Sequence, residues 1–544
     1  IRDMPTGLVG SEMCIRDRLC TGRHGIQPDE RYAVCTPARP ALALGVALMA
    51  MFLESLGHLM QWQTLASLFV VVIMGLIFGA LPGLNATMAV AILLPITFLF
   101  DQSTGLALLI AAYVSGVSGG LVSSTLLRIP GTPSSIATTF DAYPLAQSGQ
   151  AVKALGTGML ASFLGGMISL GILIFFAPAV AGVAISFGPY EYASLAALAL
   201  AMVGVMSGDN MTKGLLAVML GMALSFVGFA PIDGTARFSF GLTELNAGIG
   251  MLPFMVGLFA LPQLIREIIK LPTVKKLDVQ LSGFGVTFAE IRANLVNLAR
   301  SALIGAGIGV LPGIGGAASN LIAYAVAKKS SRQEATFGKG NVAGIWASEG
   351  ANNASIGGAL LPLLALGIPG DGVTAMLIGG FEIHGLQPGP MLFLNTPDVI
   401  HAIYAAFLVT AVLVLILQFS TLRLFPRILL IPRHYLVPVL VVLTAVGAYA
   451  ADFRFFDLWV MLGIGVLGYY LERFQFPLAP VVLGFVMGPL LEENLRRALL
   501  LSEGDMTPFI TRPYSAVFSI VCFLVIALGL WRQKTRLSRG VPSI

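Results

Sequence analysis

Charge is scarce in this sequence. Only 11% of its 544 residues are Asp, Glu, Lys or Arg, against about 25% in soluble domains. That excludes a large soluble core wrapped in a solvated surface, and the net charge of +5, carried in loops between apolar runs, does not mark a nucleic-acid-binding face. Cysteine is equally sparse. Three of the four (Cys14, Cys20, Cys35) fall in the first 40 residues at spacings that match no common zinc pattern, and Cys522 stands alone in the last apolar run, so neither disulfides nor a metal centre are expected. His384 and His401 have no metal-ligand constellation around them and are read as structural. G-x-x-x-x-G-K-[ST] is missing, as are H-E-x-x-H and G-x-S-x-G on a spanning segment, so ATP hydrolysis and intramembrane enzymology lack sequence support and no cofactor is expected.

Long apolar stretches take the place of charge. Apolar residues make up 56% of the chain and mean hydropathy is +0.87. Runs near 64–81, 104–127, 154–186, 190–206, 213–230, 248–265, 399–422, 434–450, 455–472, 474–491 and 513–531 approach or exceed the ~18 residues that mark a spanning helix. Glycine, at 62 residues, suits close helix packing and broken helices. The expected fold is an all-α polytopic membrane protein with about 10–12 transmembrane helices. Residues 1–40 resemble translated sequencing-adapter read-through around Gly7–Arg18 and are set aside as a non-native or disordered leader, with the true start expected at Met49 or Met51. Residues 51–265 form a first membrane half, 266–300 the main hydrophilic loop, 301–531 a second membrane half and 532–544 a basic tail. Lys and Arg in the loop and tail place both in the cytoplasm by the positive-inside rule.

The organising stretch runs from Ala347 to Asp371. It is apolar, yet it carries Glu349, Asn352, Asn353, Ser355 and Asp371, and it breaks at Ile368-Pro369-Gly370. A charge in hydrocarbon costs roughly 2.5–3.5 kcal/mol even on the lenient insertion scale, so such groups face a cavity or a partner. Ser301–Ala327, between basic flanks, is too short for two spans. It reads as a re-entrant hairpin with its tip at Leu311-Pro312-Gly313, the alternative being a single kinked span. The landmarks recur. Gly79-Ala-Leu-Pro82-Gly83-Leu-Asn85 matches Gly309-Val-Leu-Pro312-Gly313 at an offset of 230, and Ile129-Pro130-Gly131-Thr132 matches Ile368-Pro369-Gly370-Asp371 at 239. Two hairpins and two broken helices in the same order suggest homologous repeats. Inverted repeats are expected, although the sequence leaves their parity open, and their half-helix N-termini suit anions.

These motifs, with Phe140-Asp-Ala-Tyr-Pro144, Phe337-Gly-Lys-Gly340, Glu349-Gly-Ala-Asn-Asn353 and His384-Gly-Leu-Gln-Pro-Gly-Pro390, resemble the large membrane subunit of the tripartite tricarboxylate transporter (TctA) family over about residues 51–500. The resemblance implies a permease in the bacterial inner membrane that imports di- or tricarboxylates. It also implies a small membrane subunit (TctB-like), a periplasmic solute-binding protein (TctC-like) and a driving Na⁺ or H⁺ gradient. A passive anion channel is the alternative. Arg128 departs from the family, where a small polar residue is expected, which bears on substrate identity.

Candidate substrate contacts are Asn85, Ser118, Ser123, Ser124, Arg128, Thr132, Ser134, Asn352, Asn353 and Ser355. Each hydroxyl has a competing role in helix–helix hydrogen bonding or N-capping, and Arg128 has one in snorkelling to the interface. Glu349 and Asp371 are candidates for ion coupling, Asp371 with helix capping as its alternative. Asp141, Asp209 and Glu382 are expected at membrane boundaries.

Overall fold

The computed structural model describes residues 40–81, 84–206, 211–269, 285–313, 315–422, 424, 433–450 and 453–538. Pro82, Gly83 and Asp209, together with the first three cysteines, lie outside these residues. Two compact units are distinguished, residues 1–50 and 51–544. The described part of the first is the opening of α1 (Pro40–Leu59), and all that follows concerns the second.

Apolar runs and proline-glycine breaks set the order of elements. In the first half these are α2 (Trp62–Ala80), α3 (Ala86–Thr97), α4 (Gln102–Leu127), a 3₁₀ turn at Pro133–Ser135, α5 (Thr138–Leu145), α6 (Ala151–Ala184), α7 (Pro189–Met206), α8 (Met211–Ser225) and α9 (Met251–Ile269). In the second half they are α10 (Phe288–Gly309), α11 (Gly315–Ser330), α12 (Val342–Leu366), α13 (Gly372–Ile383), α14 (Leu392–Asn395), α15 (Pro397–Ser420), α16 (Arg433–Ala450), α17 (Phe455–Arg473), α18 (Leu478–Leu501), α19 (Pro508–Thr511) and α20 (Pro513–Ser538). The sole sheet among the described residues pairs Gly228–Phe229 with Ala236–Arg237. Among the described residues eight helices are long and apolar enough to cross a membrane, and the protein is an all-α polytopic membrane protein.

One boundary differs from the sequence reading. α10 begins at Phe288, within the stretch read as hydrophilic loop. Thr287 and Glu290 form a capping box there: Glu290 N–H donates to Thr287 Oγ1 at 3.3 Å and Thr287 N–H to Glu290 Oε2 at 3.0 Å. Two orphan donors are thereby satisfied, and the helix starts despite its charged first turns.

The core is built on α4 and α12, which are buried from Thr104 to Leu126 and from Gly344 to Ala365. Both carry Gly, Ser and Asn among apolar residues, and both have negligible amphipathicity, as a helix enclosed on all sides should. The packing around them is reciprocal. α2 lies along α4 as α10 lies along α12. α15 covers α4 as α6 covers α12, and α13 meets α3 and α4 as the 3₁₀ turn and α5 meet α11 and α12. The close approaches recur too: a Cβ at Gly79 would strike the backbone of Gly116 and Gly119, and one at Gly309 that of Ser355 and Gly358.

The two hairpins open toward opposite ends. At one end, Lys153 at the start of α6 pairs with Glu290 at the start of α10 (2.5 Å), and α11 returns its basic Lys328 and Lys329 beside them. At the other, Gln102 Nε2 donates to His384 O at 2.8 Å, which joins the start of α4 to the end of α13, and the end of α3 lies beside Gly105. α4 separates these ends by about 39 Å at 1.5 Å per residue.

Candidate functional site

The helix breaks meet in the middle of the molecule. The second half shows it most directly: Gly313, in the positive-φ region at 77°, donates its N–H to Gly370 O at 2.9 Å, so the hairpin tip touches the break between α12 and α13. Asp371 follows the break and caps α13. Its Oδ1 accepts from Thr374 N–H and Thr374 Oγ1, both at 2.8 Å, and its Oδ2 accepts from Tyr113 of α4 at 2.5 Å. Asp371 thus serves as the N-cap of α13. In the first half, Thr132 stands at the matching position, with a capping box to Ser135. Ser124 donates to Ser135 Oγ at 2.9 Å and fixes that turn to α4.

At the N-terminus of α11, hydroxyls gather. A Cβ on Gly316 would fall 2.7 Å from Ser134 Cβ and 2.8 Å from Ser355 Oγ, and Thr132 Oγ1 is 3.1 Å from Ser134 Oγ. The first N–H groups of a helix, which have no intrahelical partner, and the positive end of its dipole thus lie beside two serines and a threonine, a setting suited to a carboxylate.

A second polar cluster lies deeper on α12. Glu349 is fully buried; its Oε1 accepts from Thr138 Oγ1 at 2.5 Å and its Oε2 from Ser162 Oγ at 2.8 Å, with Asn352 Nδ2 3.5 Å away. Asn352 Oδ1 is buried without a hydrogen-bond partner among the described residues. Ser118 donates to Asn353 Oδ1 at 2.7 Å where α4 crosses α12, and Gln418 of α15 donates to Ser118 O at 3.1 Å.

The structure sorts the candidates accordingly. Thr132, Ser134 and Ser355 come together, as do Glu349 and Asn352, and Ser118 and Asn353. Asn85 acts as N-cap of α3, accepting from Met88 N–H at 2.9 Å. Ser123 donates to Gly120 O within α4 and backs against Gly131. Arg128 ends α4 at a φ of 57°, exposed and stacked over Tyr143. Pro130 is exposed beside it, whereas Gly131, Pro369 and Gly370 are buried.

Asp141, expected at a membrane boundary, turns its carboxylate into the protein. It is fully buried, and its carboxylate accepts from the N–H groups of Gly338, Gly340 and Asn341 at 2.8–2.9 Å and from Tyr324 Oη at 2.9 Å. The charge that would have kept it at the surface is met by four donors. Sequence reasoning missed Tyr113, Thr138 and Ser162 as partners of the acidic groups, because a single hydroxyl in an apolar run carries no spacing signal.

Comparison with known proteins supplies the remaining context. A family model described as "Tripartite tricarboxylate transporter TctA family" matches residues 65–483. An Agrobacterium vitis protein, "Uncharacterized 52.8 kDa protein in TAR-I ttuC' 3'region", is 34% identical over 470 residues, covering 86% of this chain and 93% of that protein. Another from the same organism, "Uncharacterized protein in TAR-II ttuC' 3'region", is 38% identical over 230 residues, 42% of this chain and 95% of that protein. No solved structure matches.

Proposed function

Because the chain belongs to the tripartite tricarboxylate transporter TctA family, a family of membrane transporter components, we propose that it is the permease subunit of a binding-protein-dependent secondary transporter that imports di- or tricarboxylates across the bacterial inner membrane. The observation that carries this reading is the meeting of the helix breaks beside the N-terminus of α11, where Thr132, Ser134 and Ser355 gather. Half-helix N-termini at mid-membrane are the usual means of holding an anionic substrate. The substrate carboxylate sits there, on the Thr132 side. The matching position on the other side holds Asp371, whose charge repels a carboxylate and suits a cation.

Reciprocal packing of the halves supports inverted repeats, and hairpins opening to opposite ends are what alternating access between two faces requires. The drive is a Na⁺ or H⁺ gradient, with Glu349 and Asp371 as the coupling carboxylates. The partners are a small membrane subunit and a periplasmic binding protein.

The test is uptake of radiolabelled citrate and other di- and tricarboxylates into vesicles holding all three components, with Na⁺ and proton gradients imposed separately. Accumulation against a gradient that needs the binding protein is the expected result. Downhill flux alone, indifferent to the binding protein and to both gradients, would point to a passive anion channel.

A further inference from the structure

Among the described residues Glu349 has no cation within reach, and its carboxylate is held by hydroxyls and an amide. The ionisable groups on the helices packed against α12 are engaged elsewhere. Lys153 of α6 pairs with Glu290 of α10, Arg300 of α10 donates to Asn297, Tyr113 of α4 donates to Asp371 and Tyr324 of α11 to Asp141 of α5. Tyr143 of α5 lies under Arg128, and Arg292, Lys328, Lys329 and Glu382 are exposed near the ends of α10, α11 and α13.

Among the described residues the oxygens nearby do not compose a metal site. α12 is continuous from Val342 to Leu366 and α6 from Ala151 to Ala184, so backbone carbonyls at this level are committed to intrahelical bonds. Sodium sites in transporters draw on unwound carbonyls, which lie instead at the breaks.

Two further observations point to a proton. Ser162, which donates to Glu349, also lines a cavity with Ser118 and Asn353 between α4, α6, α12 and α15. Its volume, about 10 Å³, is that of one water position, and the three polar side chains are the number a buried water needs. Asn352 Oδ1, meanwhile, is a buried acceptor with no donor, on the amide whose nitrogen faces the carboxylate. A half-turn of that amide would present Oδ1 to a protonated Glu349, whose O–H would then donate to it. The side chain thus has a partner for each protonation state.

We infer that Glu349 is the proton-binding group that couples transport to a proton gradient, with Ser162 relaying the proton from the cavity and Asn352 reversing its amide to match. A proton that reaches the cavity as hydronium passes to Ser162 Oγ as the Ser162 proton passes to Glu349 Oε2, leaving a neutral water, an intact hydroxyl and a neutral carboxylic acid. This rests on the reading of the chain as a gradient-driven carrier.

The three-component complex in vesicles provides the test. E349Q is expected to lose at least tenfold in accumulation driven by a proton gradient, and to flatten the pH dependence of substrate exchange. E349D is expected to shift that dependence and retain part of the drive. The wild-type chain gives an independent readout: modification of Glu349 by a hydrophobic carbodiimide, followed by peptide mass, should decline as pH rises. Accumulation by wild type on a Na⁺ gradient alone, or wild-type accumulation by E349Q on a proton gradient, would overturn the proposal. Absence of carboxylate uptake under either gradient would overturn the carrier reading, and the carbodiimide titration would still decide the proton site: modification indifferent to pH rejects it.

Discussion

At the scale of single residues, the buried charges are met by partners far away in sequence. Asp141 takes four donors, three of them backbone N–H groups that no other side chain replaces. An unmade buried bond costs about 1–3 kcal/mol. D141A should therefore lower the thermal unfolding midpoint of the purified protein well beyond D141N, which keeps one acceptor oxygen; equal midpoints for D141A and wild type would show that the clamp carries no stability. Hydrogen bonds to a charged group are worth about 1.5–3 kcal/mol, and about 1.4 kcal/mol is tenfold in affinity. S355A is thus expected to raise the KM for carboxylate uptake about tenfold, as is S134A, while S123A, bonded only within its own helix, leaves it unchanged. These partnerships were the least legible part of the sequence. Thr138 and Ser162 look like any hydroxyl in an apolar run, and Asp141 reaches N–H groups that every residue but proline possesses.

The elements were far more legible. Proline without an N–H followed by glycine free of a side chain announces a break in an apolar run, and α4, α10 and α12 all end shortly before such a pair, whereas Gly488-Pro489, in the reverse order, lies inside α18. The start of α10 escaped notice because a capping box outweighed its charge. The positions of the helices also depend on glycine where they touch. At Gly309 a Cβ would lie 2.5 Å from Ser355 O and 3.1 Å from Gly358 Cα, whereas Gly307, two residues away on the other side of the helix, faces open space. Overpacking of this kind costs typically about 1–3 kcal/mol. G309A should then reduce both thermal stability and uptake, with G307A as a control that retains both. A G309A protein as stable and active as wild type would mean that α10 and α12 are free to separate.

For the whole molecule, the reciprocal packing makes a claim about sidedness. The α3–α4 connection carries Leu99, 82% exposed, at one end, and the α11–α12 connection carries Gln333 at the other. In a background without native cysteines, L99C and Q333C should react with a membrane-impermeant thiol reagent from opposite faces of oriented vesicles. Labelling from the same face would rule out inverted repeats. The Asp141 clamp bears also on how such a chain is made. Gly338 lies 197 residues after Asp141. At about 5–20 residues per second the ribosome needs roughly 10–40 s to cover that distance. Until Tyr324 is made, 183 residues after Asp141, the nascent first half holds a carboxylate with none of its four donors yet synthesised, and the three backbone donors follow later, so it cannot settle into its finished form alone. The two halves must mature together, and a chain that stops short of Gly338 should be cleared by the cell's quality-control proteases.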